Sequence, residues 1–160
     1  FGGEKTFYAL EPKPKKALWT HGGAVEPLFG VGPGAFTPQL PAIAPDGTIV
    51  VWLTEKLVAL NPDGSVKWNH FSFGLSAPPG LAIDYQGDVY VALYESPKDV
   101  LLSRLDGETG KVIWQEPVGI GGYPLQSPVV GADGTVYFLN REDTGVGRVR
   151  AFDGQDQVES

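Results

Sequence analysis

The chain is 160 residues long, 42% hydrophobic and 19% charged, which describes a folded domain with a core rather than a disordered tract. Twelve basic against nineteen acidic residues leave a net charge of −7, and apart from Lys13, Lys15 and Lys16 there is no basic run, so a nucleic-acid partner is excluded. No apolar stretch approaches the roughly 18 to 20 residues that cross a bilayer as a helix, and with no Cys there is no disulfide, thiol nucleophile or thiolate metal site. Met is absent too and Phe1 opens no signal-peptide pattern, so the sequence reads as a processed or excised segment.

Taken in chain order, the apolar pattern is one of short strands and tight turns, with no helical periodicity and with 22 Gly and 14 Pro as punctuation. Residues 1–21 hold two strands, "FYALE" and "ALWTH". Residues 37–70 hold four: "PAIA", the turn "PDGT", "TIVVWLT", "KLVALN", and a further turn into "SVKW". Residues 77–118 repeat the order with "LAI", "YQGD", "DVYVALY", "VLLSRL" and "KVIW". Residues 124–160 give "PVV", "ADGT", "TVYFLN" and "RVRAF", then stop short of a fourth strand. β-Branched and aromatic residues fill the second strands, and Gly47, Gly87 and Gly134 occupy turns where positive φ has no steric cost.

The same marks return at a fixed period. Trp19, Trp68 and Trp114 each end a unit, and Gly64, Gly110 and Gly154 are read as the matching turn glycines. Four antiparallel strands per repeat of about 40 to 50 residues is the pattern of a β-propeller blade. The expected fold is therefore all-β, a propeller of four-stranded blades with about three and a half present. Closed rings have roughly four to eight, so the chain is expected to be part of a larger propeller.

The best-kept unit is "RLDGETGKVIW", Arg104 to Trp114. Asp106, Thr109, Gly110, Lys111 and Trp114 resemble the tryptophan-docking motif of the PQQ-like, quinoprotein-type propellers, Ala-x-Asp-x-x-Thr-Gly-Lys-x-x-Trp, with Arg104 in place of Ala. "ALNPDGSVKW" and "ALEPKPKKALW" are looser copies, and "AFDGQDQVES" ends where its Trp is expected. The resemblance implies structural roles: Trp19, Trp68 and Trp114 dock one blade on the next, while Asp106, Thr109 and Gly110 shape the hairpin that delivers the indole. Lys111 is within reach of Asp106 or Glu108, a surface pair of little energetic weight.

Some relatives in that superfamily are dehydrogenases, and the alternative the resemblance carries is part of a PQQ-dependent alcohol or sugar dehydrogenase holding PQQ with calcium. Such sites use hard oxygen ligands, a catalytic Asp and often a vicinal Cys pair. Here Cys is absent, and Asp46, Asp63, Asp106, Asp133 and Asp153 all sit beside turn glycines. His21, His70 and Glu116 occupy equivalent places after successive Trp strands, but diverging blades keep such positions too far apart to share one ion. No catalytic residue, metal site or cofactor is assigned.

The expected role is thus a non-catalytic scaffold that binds protein or another ligand, placed in the periplasm, on the cell surface or in the secreted fraction. The propeller lipoprotein of outer-membrane protein assembly is the superfamily example behind this expectation. Binding-face candidates are loop residues ahead of the first strands: Phe36 with Tyr123, Gln39 with Gln126, and Phe73. Aromatic and amide groups there suit a peptide or, in a carbohydrate-binding variant, a glycan. Expected partners are the remaining blades of the same propeller or another chain at the open edges near Phe7 to Leu10 and Val149 to Phe152.

Overall fold

The computed structural model describes residues 6–10, 17–22, 41–53, 56–71, 80–94, 99–120, 126–141 and 146–154. Among them every regular element is a strand: β1 Thr6–Leu10, β2 Ala17–Gly22, β3 Ala42–Ile43, β4 Ile49–Leu53, β5 Lys56–Leu60, β6 Val66–Phe71, β7 Leu81–Ile83, β8 Val89–Tyr94, β9 Asp99–Leu105, β10 Val112–Ile120, β11 Val129–Val130, β12 Thr135–Arg141 and β13 Gly147–Asp153. No helix among the described residues is long and apolar enough to cross a membrane.

Sequential strands pair antiparallel into four sheets: β1-β2, β3-β4-β5-β6, β7-β8-β9-β10 and β11-β12-β13. We refer to these as blades one to four. The short first strand β7 adjoins β3 on one side and β11 on the other, while each later strand in a sheet stands farther out. Sheets radiating from neighbouring inner strands form the β-propeller architecture expected from the repeat.

The hydrophobic core is a set of layers between blades. Val50, Trp52, Leu57, Ala59 and Trp68 of blade two meet Val89, Val91, Leu93 and Leu105 of blade three. The other side of blade three gives Tyr90, Ala92, Val100, Leu102 and Val118 to Val136 and Phe138 of blade four. Because side chains alternate along a strand, β8 sends Val89, Val91 and Leu93 one way and Tyr90 and Ala92 the other. A strand buried on both faces has no polar side, which is why "VYVAL" is continuously apolar. Each such residue contributes about 1.5–3 kcal/mol of transfer free energy.

One detail of register recurs without any sequence mark. Ala9 pairs with Trp19 but Leu10 with Ala17; Ala59 pairs with Trp68 but Leu60 with Val66; Arg104 pairs with Trp114 but Leu105 with Val112. Each fourth strand therefore carries one extra residue just before its Trp: Leu18, Lys67 or Ile113. A bulge of this kind bends the strand and re-aims the next side chain, here the indole. In blade four, β13 has no fourth strand beside it among the described residues, and five of its seven residues in a row, Gly147 to Ala151, are exposed.

Candidate functional site

Turns at one end of the blades build the site. The first-to-second-strand turns are closed by carboxylates. Asp46 accepts the Thr48 amide at 2.9 Å and the Thr48 hydroxyl at 2.8 Å, and Asp133 accepts the Thr135 amide at 3.0 Å. In blade three the cap moves to the start of the turn, where one Asp84 oxygen accepts the amides of Gln86 (2.9 Å) and Asp88 (3.0 Å). The amide and hydroxyl of Thr48, helped by Lys67, lower the Asp46 carboxyl to about 2. Bonds from Thr135 likewise hold Asp133 below the usual carboxylate range, so both are charged at neutral pH.

The third-to-fourth-strand turns lie beside them and receive the previous blade. Trp19 donates its indole N–H to Pro62 O at 2.8 Å, and Trp68 donates to Gly107 O at 2.9 Å. The rings lie so close over Gly64 and Gly110 that an added Cβ would stand 2.5 Å and 2.6 Å from them, and both glycines have positive φ, 86° and 69°. In the second turn Asp106 accepts the Glu108 and Thr109 amides and the Thr109 hydroxyl. The Thr109 hydroxyl leads in holding its carboxyl below the ordinary range. Lys67 spans the joint, 3.0 Å from Asp46 and 2.6 Å from Glu108. Glu108 thus pairs with the preceding blade rather than with Lys111, because the bulge at Lys67 turns its side chain toward the neighbouring hairpin.

Between blades three and four the arrangement changes. Arg104, 7% exposed, sends Nε and Nη2 to one oxygen of Asp88 (3.0 and 2.8 Å), Nη2 also to Gln86 Oε1 (3.2 Å), and Nη1 to Gly154 O (2.7 Å). The Tyr90 hydroxyl is 3.2 Å from Asp84 and 3.4 Å from Gly154 O, and the guanidinium lies over the Tyr90 ring, 5.9 Å from its centroid. Burial, reinforced by Asp84 and Asp88 against the pull of Arg104, pushes the phenol far above its ordinary value, so it stays a donor. Trp114 meets the Tyr90 ring edge-on at 6.1 Å, and its buried indole N–H has no acceptor among the described residues.

Above Tyr90 and Arg104 the turns of the two blades leave a cleft of about 480 Å³, rimmed by Asp84, Tyr85, Gln86 and Asp133. Tyr85, 74% exposed, is part of the wall, its hydroxyl accepting from Gln86 at 3.3 Å. Arg104 is the cation in the lining, and its guanidinium is bound by the protein itself.

The sequence names five binding-face candidates. Phe36, Gln39, Phe73 and Tyr123 lie outside the described residues; Gln126 is exposed, shortly before β11. Gly154 is not the third member of the Gly64 and Gly110 set. Like Gly107 it is packed without room for a Cβ against a first-turn carbonyl, Gly134 O in one case and Gly87 O in the other, so the two are counterparts. His70 is only partly exposed, its Nδ1 3.2 Å from Gly110 O of the next blade, and Glu116 is an exposed residue of β10. Among the described residues no group of three or more His, Asp or Glu is placed to hold a metal ion. The cleft residues were passed over because two of them, Tyr85 and Gln86, look like ordinary turn residues. Arg104 alone carried a visible sign, its departure from Ala in the repeat.

These sheets and joints define a β-propeller. No protein-family model and no curated protein matches the sequence. Among solved structures, the chain is similar to BamB from Moraxella catarrhalis, with 18% identity and a TM-score of 0.63 over 93% of this chain and 40% of that one. It is also similar to a protein of unknown function from Bacteroides caccae, with 17% identity and a TM-score of 0.48 over 92% of this chain and 54% of that one. The chain spans less than two thirds of either, and at 18% identity the likeness to BamB speaks to the fold alone.

Proposed function

We propose that this chain is a PQQ-like propeller segment acting as a non-catalytic scaffold, one that holds a segment of a partner protein outside the cytoplasm and needs no cofactor. The observation that carries the reading is the cleft between the turns of blades three and four: it is open, polar, and walled by an exposed tyrosine. Across the described turns, most of the chemically suggestive groups are already engaged in architecture, with Asp46, Asp106 and Asp133 closing their own turns and Arg104 bound to Asp88. The fold likeness to BamB supports a propeller that works through protein contacts, and an extracytoplasmic place by analogy. The exposed edge of β13 fits the same reading as a surface for the remaining blades of the propeller or for another chain.

Selection of phage-displayed peptides on the immobilised chain tests the proposal. The expected result is an enriched sequence that binds the wild-type protein and loses most of its affinity on Tyr85→Ala. Enrichment of nothing above background over successive rounds, with the chain shown to be folded by circular dichroism, would remove the scaffold reading.

A further inference from the structure

We infer that the cleft between blades three and four accepts a basic side chain, Arg or Lys, presented by the partner protein; this rests on the scaffold reading and names the chemistry of its site. The argument begins with what the walls offer. Asp84 and Asp133 come from turns of two different blades, and each carboxylate spends oxygen lone pairs on its own turn while standing at the rim. A carboxylate has about four acceptor positions, so a turn cap does not exhaust it. Gln86 Oε1 and the Gly154 carbonyl are claimed by Arg104, which is in turn neutralised by Asp88.

The cleft therefore offers acceptors and negative charge, and Arg104, the cation among the described lining residues, is bound internally. An anionic ligand would meet two carboxylates. A guanidinium or ammonium would meet acceptors on both sides, with the Tyr85 ring, 74% exposed, as a face to lie against. The 480 Å³ volume is large enough for one long side chain with its backbone, and the overall charge of −7 steers cations toward the surface.

The test is a titration of the full 160-residue chain followed by amide NMR, with N-acetyl-arginine amide as probe. Its neutral isostere N-acetyl-citrulline amide and the disaccharide maltose serve as comparison probes. Saturable shifts at Gly87, Ala132 and Gly134 with the arginine probe alone are expected. Asp133→Asn keeps the turn-capping geometry but removes the charge; it should weaken the probe about tenfold, the scale of one lost charge-assisted hydrogen bond. Tyr85→Ala, at an exposed position, should weaken it by a smaller factor. Equal shifts from the citrulline probe, shifts from maltose in place of arginine, or no shifts at the turns would each overturn the inference. Selected peptides that bind without a basic residue, or without competing with the arginine probe, would overturn it and leave the scaffold reading standing. Arginine binding with no peptide enriched would overturn the scaffold reading and with it the partner protein, leaving only a cleft that takes a guanidinium.

Discussion

Blades two and three are joined by an indole, and blades three and four by a guanidinium. In both joints the acceptor is the same atom of the repeat, the carbonyl of the second turn residue: Gly107 O in one, Gly154 O in the other. What differs is the cross-strand pair one step nearer the axis from the tryptophan. Val50 faces Ala59 in blade two, small and apolar, and Trp68 lies over Gly110 and reaches the carbonyl itself. Tyr90 faces Arg104 in blade three, and the guanidinium occupies the acceptor that Trp114 would otherwise use. The first joint is a hydrophobic contact finished by the Trp68 bond to Gly107 O, the Lys67–Glu108 ion pair and the His70 contact with Gly110 O; the second adds a polar network around Arg104, with a cleft above it. A propeller can thus hold its repeat geometry while replacing the indole contact of one joint by a guanidinium network in the next, with the cleft lying over that network.

The largest expected effect comes from removing the guanidinium. Arg104→Ala strands Asp88 and the Gly154 carbonyl in a nearly buried setting, and breaking a buried pair from one side costs about 3–5 kcal/mol. Urea unfolding should show that loss, and adding Asp88→Asn should recover part of it because the uncompensated charge goes. A cost below about 1 kcal/mol would mean that the tryptophan, not the arginine, holds this joint.

A second pair of variants separates the joints directly. Trp68→Phe keeps an aromatic ring but loses the bond to Gly107 O, an expected cost of about 1–3 kcal/mol. Trp114→Phe removes an N–H with no acceptor among the described residues, so its cost should stay under about 1.5 kcal/mol. Equal losses in denaturant midpoint would erase the distinction.

How much of this was legible depends on how local the chemistry is. The blades were readable because their turns are written in adjacent residues: Asp46 before Gly47, Asp133 before Gly134, and Thr109 before Gly110. The bulges were not, because Leu18, Lys67 and Ile113 share no property; the feature lives in pairing across strands. Gly154 was grouped with Gly110 by spacing, yet one sits in the left-handed region beneath an indole and the other is small because a carbonyl approaches it. The cleft needed two turns from different blades and an arginine contact spanning 50 residues. Arg104 showed that something was different there, but only the three-dimensional register says what it touches.

Two glycines sharpen the account of the indole joint. Gly110→Ala meets both penalties, a residue with φ of 69° and a Cβ 2.6 Å from Trp68, whereas Gly87→Ala, at φ 97°, has open space around its Cβ. Left-handed geometry alone costs about 1–2 kcal/mol, and overpacking adds about 1–3 kcal/mol at Gly110 only. Thermal unfolding should rank them in that order. If Gly87→Ala proved as costly, the contact with the indole would contribute nothing beyond backbone strain.

The smallest effect is set by pH. The Asp46 carboxyl has a folded value of about 2 against an ordinary 3.8, so its contribution is complete above 3.8 and is lost as pH falls toward 2. With its side chain 54% exposed, that contribution is screened and stays below about 1 kcal/mol. Comparing the urea midpoints of wild type and Asp46→Asn in mild and in strong acid checks it. The gap should be present in mild acid and close in strong acid as the Thr48 and Lys67 bonds to a charged Asp46 disappear. A gap that persists unchanged would show that the carboxyl caps its turn without needing its charge. The Lys67 bridge between blades two and three would then rest on Glu108, leaving the indole of Trp68 as the main tie across that joint.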